Sequence, residues 1–203
     1  SPMSVFFKYN SLYIISSSPE RFIKRNNNKI TTEPIKGTIR KNKIRHEDLK
    51  NISYLKNNSK ELSENHMIVD LVRIDLSKIA CKGSVKVKEL ASLYSFKNVH
   101  QLISSVEAEI KESIKFSEIL KSSFPMGSMT GAPKIKSMEL IDEFEKTQRG
   151  IYSGSIGYIS PSKNFDFNVV IRSIIYDSDN NSLNIIIINH IIIMAVIINH
   201  HPS

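Results

Sequence analysis

Three consecutive asparagines, Asn26 to Asn28, separate two short alternating runs, RFIK (Arg21 to Lys24) and KITTEPI (Lys29 to Ile35), and this punctuation most constrains the fold. Alternation with a period of two turns one side of each run toward a core, and an Asn-rich turn lets the chain reverse between them. The runs therefore predict an antiparallel hairpin within a β-rich segment from Val5 to Arg40 that begins VFFKYNSLYII. With the turn centred near Asn27, residue 20 faces residue 34. Glu20 and Lys36 then leave the same sheet face as diagonal neighbours at the hairpin's open end. A slip of one residue would put them on opposite faces.

From Glu47 to Leu76 the residues favour helix, with a polar break at Asn57 to Ser59. The second helical stretch opens on Ser59 as an N-cap and carries acids in its first turn. Glu61 and Glu64, three apart, share one helical face. That spacing either complements the helix dipole or presents two carboxylates to a hard cation such as Mg²⁺. Short strands follow at VKVKEL and near KNVHQLISSVEAEI, the second carrying His100, either a structural histidine or a proton shuttle. After a helix over about Lys115 to Ser122 comes FPMGSMTGAPK, with Pro133 as the first residue of a further helix, PKIKSMELIDEFEK. Backbone amides at such a helix start can bind a carboxylate or phosphate; a plain connecting loop is the other reading. The chain then returns to β with IYSGSIGYIS, a turn at Pro161 to Asn164, and FDFNVVIRSIIYD. Arg172 in that last apolar strand requires an anion, from the protein or from a ligand. The expected class is α+β: mostly antiparallel sheets flanked by helices, with a site in the cleft between a sheet edge and helix starts.

Composition limits the function classes. A chain of 203 residues, 40% hydrophobic and 24% charged, can bury a sizeable core. A net charge of +8 suits nucleic acid, an anionic membrane surface or an acidic small substrate. The lysines are scattered through Asn- and Ser-rich stretches without a recognised nucleic-acid module, so no nucleic-acid partner is expected. The lone cysteine, Cys81, precludes an internal disulfide, suits a reducing compartment and reads as a buried small hydrophobe. No cationic start followed by an apolar run opens the sequence, which points to a cytoplasmic location. The apolar stretch from Ile185 to Ile198 is broken by Asn189 and His190 and falls short of the ~20 residues of a membrane helix, so no membrane span is expected.

The strongest candidate for chemistry is Lys36, framed by Pro34 and Gly37 in the pentapeptide PIKGT. Most lysines stay in water. Here the fixed φ of proline on one side and the freedom of glycine on the other hold the residue in a few turn geometries.

Taken in order, SPERF, PIKGT, ELSENHMIVDLVRIDL, VKVKEL, NVHQLISSV, FPMGSMTGAPK, MELIDEFE, RGIYSGSIGY and VVIRS resemble the chorismate-binding enzymes over about residues 5 to 177. The resemblance implies Mg²⁺-assisted substitution on chorismate, with Glu61 and Glu64 holding the metal and Glu20 as the general acid at the departing C4 hydroxyl. Lys36 matches the lysine of the branch that makes aminodeoxychorismate, where relatives forming anthranilate or isochorismate carry alanine. Such a lysine must be shifted down from about 10.4 and such an acid up from about 4.3. By the same resemblance, Thr38, Thr130, Gly131, Tyr158 and Arg172 bind the substrate's carboxylates or enolpyruvyl group, and His100 lies near the ring. Ammonia would come from a separate glutaminase subunit, since no glutaminase cysteine motif is present. Anthranilate formation, or a binding fragment without turnover, is the alternative.

Three departures accompany the resemblance. The N-terminal half of the family fold is expected to lie outside this chain. Ile74 replaces the family's usual asparagine, which implies a lost polar contact near a helix end. The catalytic unit is expected over residues 1–183. From 184 to 203 an Ile/Asn/His tail replaces a Gly-rich strand and a helix bearing a further metal-binding Glu, as a frameshift would produce.

Overall fold

The computed structural model describes residues 1–186. The expectations about the tail from residue 187 onward, including the frameshift and the missing metal ligand, lie outside the described residues. Two sheets carry the chain, and all their pairings are antiparallel, as the α+β reading expected. The first is ordered β1 (Met3–Tyr9), β2 (Leu12–Ser18), β10 (Ser173–Asp177), β11 (Ser182–Ile186). The second runs β5 (Ile35–Arg40), β7 (Val99–Glu109), β4 (Lys29–Glu33), β3 (Arg21–Asn26), β9 (Phe165–Asn168), β8 (Gly157–Ile159), with β6 (Lys86–Ser95) on the other edge of β7. Helices α1 (Arg45–Asn57) and α2 (Ser59–Ser77) lie over β5 and β7; α3 (Phe116–Ser123) and α4 (Lys134–Phe144) follow the second sheet's long hairpin.

The asparagine hairpin forms as expected. Asn26 pairs with Lys29 and Arg25 with Ile30, and Asn27 takes a left-handed φ of 55°, which asparagine tolerates better than most residues. The register shifts by one before the open end, where Arg21 faces Glu33. Beyond Glu33 the chain does not turn. Pro34 interrupts the ladder, but β5 continues along the same edge of β7, with Ile35 opposite Ile103 and Thr38 opposite Gln101. Lys36 and Gly37 together oppose Leu102 alone, and Gly37 has φ +85°. PIKGT is thus a β-bulge and not the expected turn, a device that re-aims a side chain without ending a strand.

The sequence run FDFNVVIRSIIYD is also not one strand. β9 belongs to the second sheet and β10 to the first, and three of the four residues between, Val169 to Ile171, are at most 1% exposed as they cross the seam. The crossing is matched on the other side by residues 17–20, which leave β2 for β3. Ser17 N–H donates to the Arg172 carbonyl at 3.0 Å and Val169 N–H to the Glu20 carbonyl at 3.1 Å. Apolar crossing and apolar core are continuous, since Val169 and Ile171 pack with Phe22, Ile30, Leu76 and Val106.

Smaller expectations are adjusted. Asn58, not Ser59, caps α2, its side chain accepting from the Glu61 N–H at 3.1 Å. Pro133 is the N-cap of α4 and Lys134 its first residue. Cys81 is half-buried, because it sits in the connection after α2 and not in the core. Ile74 faces outward from α2, 58% exposed. No helix among the described residues is long and apolar enough to cross a membrane.

Candidate active site

Glu20 sits at the seam because the chain there has left one sheet and not yet entered the next. Its backbone is pinned: its N–H donates to Ser18 Oγ at 3.2 Å and its carbonyl accepts from Val169. The residue is 6% exposed. Burial pushes its carboxyl up to about 7, against the Ser128 side chain, the Lys36 cation, the Ile35 backbone and the Arg172 guanidinium, all of which favour the ionised form. A carboxyl poised there holds a proton it can give up near neutrality.

Lys36 is brought to the same place by the bulge. Its Nζ donates to the Ser128 carbonyl at 3.4 Å, while the Ser128 side chain acts on Glu20. Ser128 therefore stands between acid and amine. Sequence reasoning passed over it; the available signal was its position in the Gly-rich segment, directly after Gly127. That segment is held from both ends. Thr130 Oγ1 donates back to the Met126 carbonyl at 3.0 Å, and Arg149, engaged by Glu145, donates to the Met129 carbonyl at 2.9 Å. At its far end Lys134 reaches Asp75 of α2 at 2.7 Å and the Ser123 carbonyl at 3.0 Å. Asp75 is buried and also receives Lys78 at 2.9 Å. Glu20, Pro34, Asp75 and Ser128 all line one cavity of ≈ 30 Å³.

Glu61 closes the other side of the bulge. Its Oε2 lies 3.3 Å from where a Cβ on Gly37 would stand, so the glycine leaves room for the carboxylate beside Lys36. Glu64, one turn on, is half-buried and has Lys60 at 3.9 Å. No group of three or more His, Cys, Asp or Glu side chains converges as a metal cluster among the described residues. Two carboxylates nonetheless fit Mg²⁺, which is commonly held by one or two carboxylates with waters and ligand oxygens completing the shell.

The remaining candidates divide. Thr38 is exposed on β5 and its Oγ1 accepts from Gln101 Nε2 at 3.2 Å. Gly131 has φ +145°, and a Cβ there would fall 2.8 Å from Ser137 Oγ, so the close approach of the loop to α4 requires glycine. Arg172 lies exposed at the sheet corner with φ 51° and not within a buried strand, yet its charge still reaches Glu20. Tyr158 is not brought to the site. It is 66% exposed on the outer strand β8, paired with Asp166, and does not line the cavity. The tyrosine of that segment that packs on the core is Tyr152. His100 is 1% exposed and both ring nitrogens are engaged, Nε2 with Asp48 Oδ1 at 3.0 Å and Nδ1 with Ser95 Oγ at 2.8 Å. These two contacts tie β7 to α1 and to β6. His100 pairs with Ile39 and faces α1, outside the cavity that Glu20 lines.

Comparison with known proteins identifies the family and the fold. The chorismate binding enzyme family matches residues 1–185. Aminodeoxychorismate synthase component 1 of Escherichia coli (strain K12) is 44% identical over 174 residues, covering 86% of this chain and 38% of that protein. Anthranilate synthase component 1 of Aquifex aeolicus is 36% identical over 176 residues, covering 87% and 36%. The crystal structure of anthranilate synthase component I from Streptococcus pneumoniae TIGR4 superposes with a TM-score of 0.78 at 31% identity, over 94% of this chain and 42% of that one. The chain thus spans about two fifths of the length of these three relatives.

Proposed function

The chain belongs to the chorismate-binding enzyme family, and from that premise we propose that it is catalytic-subunit sequence of an aminodeoxychorismate synthase. The reaction converts chorismate and ammonia to 4-amino-4-deoxychorismate, on the way to p-aminobenzoate and folate. The observation that carries this reading is the meeting of Lys36 and Glu20 at Ser128. An amine and a protonated acid within one seam are what a covalent exchange of hydroxyl for amine requires. The higher identity to aminodeoxychorismate synthase, 44% against 36% for an anthranilate synthase, favours this branch.

Once its ammonium proton has been lost, Lys36 attacks C2 of chorismate through Nζ as both ring double bonds shift and the C4–O bond breaks. Glu20 gives its proton to the departing hydroxyl, which leaves as water. Ammonia then adds at C4 in the opposite sense, the C2–N bond breaks and the lysine leaves as the free amine, and the new C4 ammonium returns a proton to the Glu20 carboxylate, so the net change is hydroxyl for amine with release of one water. Mg²⁺, when bound, neutralises a substrate carboxylate; Glu61 and Glu64 are the residues to hold it. The Thr130–Gly131 segment, Thr38 and Arg172 orient the remaining carboxylate and enolpyruvyl group. The ammonia comes from a partner glutaminase, a reading that the words component 1 in the name of the Escherichia coli relative support. A cytoplasmic location accords with the unpaired thiol of Cys81.

The test is a mass adduct. Incubated with chorismate and no ammonia, the chain is expected to gain the mass of chorismate less one water, and Lys36→Ala to gain nothing. An adduct that survives Lys36→Ala removes the lysine from this role. Saturable chorismate binding without adduct or turnover would identify a binding fragment, and pyruvate among the products with ammonia would move the reading to anthranilate formation.

A further inference from the structure

The cavity beside Glu20 is lined by a second polar residue that the reaction scheme leaves unused. Thr32 of β4 lines it and is 4% exposed. Among the described residues, its Oγ1 is the one buried side-chain oxygen or nitrogen without a hydrogen-bond partner. A buried hydroxyl left unsatisfied is unfavourable, and folded proteins usually meet such a group with protein or with ordered water. The space is of the right size, because ≈ 30 Å³ exceeds the roughly 10–15 Å³ that one water needs and admits two at most. Phe22, Val72, Leu76 and Met126 form apolar walls, while of the two serines in the lining Ser123 donates its hydroxyl to the Ile119 carbonyl and the Ser128 side chain acts on Glu20, which leaves a water inside few partners to choose among. Glu20 is the buried carboxyl in the same lining that has no short contact to a lysine.

We propose that this cavity is an ordered-water site in which one water bridges the Thr32 hydroxyl and the Glu20 carboxyl, making Thr32 a positioning residue for the acid. Its geometry is independent of the reaction; its meaning for catalysis rests on the reading of Glu20 as the proton donor. A water that donates to the ionised carboxylate favours that form, so removing it raises the titration midpoint of Glu20. The charged groups facing Glu20 are Lys36 of β5 and Arg172 at the corner between β9 and β10. Asp75 of α2 lines the cavity but is held by Lys134 and Lys78, and Arg21 of β3 is held by Asp166 and Glu33. A change at Thr32 alters none of them.

Thr32→Val keeps the side-chain shape and removes the hydroxyl, whereas Thr32→Ser keeps the hydroxyl. The readouts are a high-resolution crystal structure and an infrared titration of the Glu20 carbonyl stretch, assigned by its loss in Glu20→Gln. In the unaltered chain and in Thr32→Ser, density for a water is expected within hydrogen-bond distance of both groups. In Thr32→Val the water is expected to be lost, the protonated carbonyl band to move to higher frequency, and the midpoint to rise by about half a pH unit or more. An unaltered chain without that water, or a Thr32→Val chain with the same band and midpoint, overturns the proposal. If Thr32→Val does not fold, the density in the unaltered chain and in Thr32→Ser decides. Neither readout uses chorismate, so an inactive chain would defeat the functional reading and leave this one standing or falling by itself.

Discussion

Two buried carboxylates line the same cavity and are treated in opposite ways. Asp75, on the helical wall, is clamped by Lys134 at 2.7 Å and Lys78 at 2.9 Å. Glu20, on the seam between the sheets, has its nearest lysine occupied elsewhere, Lys36 Nζ lying on the Ser128 carbonyl at 3.4 Å. Burial without a close counter-ion drives the Glu20 carboxyl to about 7. The difference teaches that a buried acid becomes structural or chemical according to whether its cation touches it. Asp75 joins α2 to the start of α4 and keeps the Gly-rich segment in place; Glu20, left without such a clamp, is the group to which the proposed reaction assigns the proton.

The largest test of that contrast is the rate. Glu20→Gln keeps shape and removes the proton donor, and formation of aminodeoxychorismate from chorismate and ammonium is expected to fall by about 10²–10⁴-fold. Asp75→Asn is expected to leave the folded protein's kcat far closer to the unaltered value. Equal losses in the two variants would erase the distinction drawn between the walls.

Next comes stability. Asp75→Asn leaves the Lys134 ammonium, on a side chain only 15% exposed, without its carboxylate. The expected cost is about 3 kcal/mol, read as a lower urea midpoint at unchanged m-value. A cost near zero would mean that Asp75 is no more than a surface partner.

Much of this was legible in the sequence, and the residues show why the rest was not. The hairpin about Asn26 to Asn28 and the break at Asn57 to Ser59 are written in local turn and capping chemistry, which short windows contain. The pairing of Glu20 with Lys36 was also anticipated, from parity across an ideal hairpin. The structure reaches the same neighbourhood by two irregularities, a register shift between Arg21 and Lys24 and a bulge at Lys36 and Gly37. Each irregularity is fixed by tertiary packing that a period-two pattern does not encode. Arg172 was misplaced for a related reason: Val169 to Ile171 are as apolar as any strand, and only the split between sheets reveals a corner there. Tyr158 came from the resemblance, and its exposed place on an outer strand follows from the pairing of β8 with β9, which the motif does not encode. Thr32 carried no signal beyond residue type, and Ser128 only its place directly after Gly127, since the importance of both comes from what the fold sets against them.

The third test uses pH. The unfolded chain releases the Glu20 proton near 4.5 and the folded chain near 7, so between these values the folded state binds more protons and stability falls as pH rises. The loss is on the order of 3 kcal/mol and is complete above about pH 7. Glu20→Gln removes it. The variant is therefore expected to match the unaltered chain at pH 4 and to exceed it at pH 8, a gap that thermal unfolding at the two pH values would measure. A constant gap across this range would mean that Glu20 ionises as an ordinary surface carboxylate, and its contrast with Asp75 would vanish.

The smallest expected effect probes what holds Lys36 on the Glu20 side of the cavity. Gly37 has φ +85°, and a Cβ there would stand 3.2 Å from both Leu102 Cδ1 and Leu55 Cδ1 and 3.3 Å from Glu61 Oε2. The flexible leucine tips can give a little, so Gly37→Ala is expected to cost about 1–2 kcal/mol, chiefly from the left-handed backbone. If the bulge relaxes, Lys36 leaves Ser128 and its charge retreats from the acid. Because that charge lowers the Glu20 titration, the midpoint is expected to rise in Gly37→Ala, while the Asp75 clamp, built from α2 and α4, is untouched. A destabilised variant with an unmoved Glu20 midpoint would show that the bulge serves packing alone and that another feature steers the lysine.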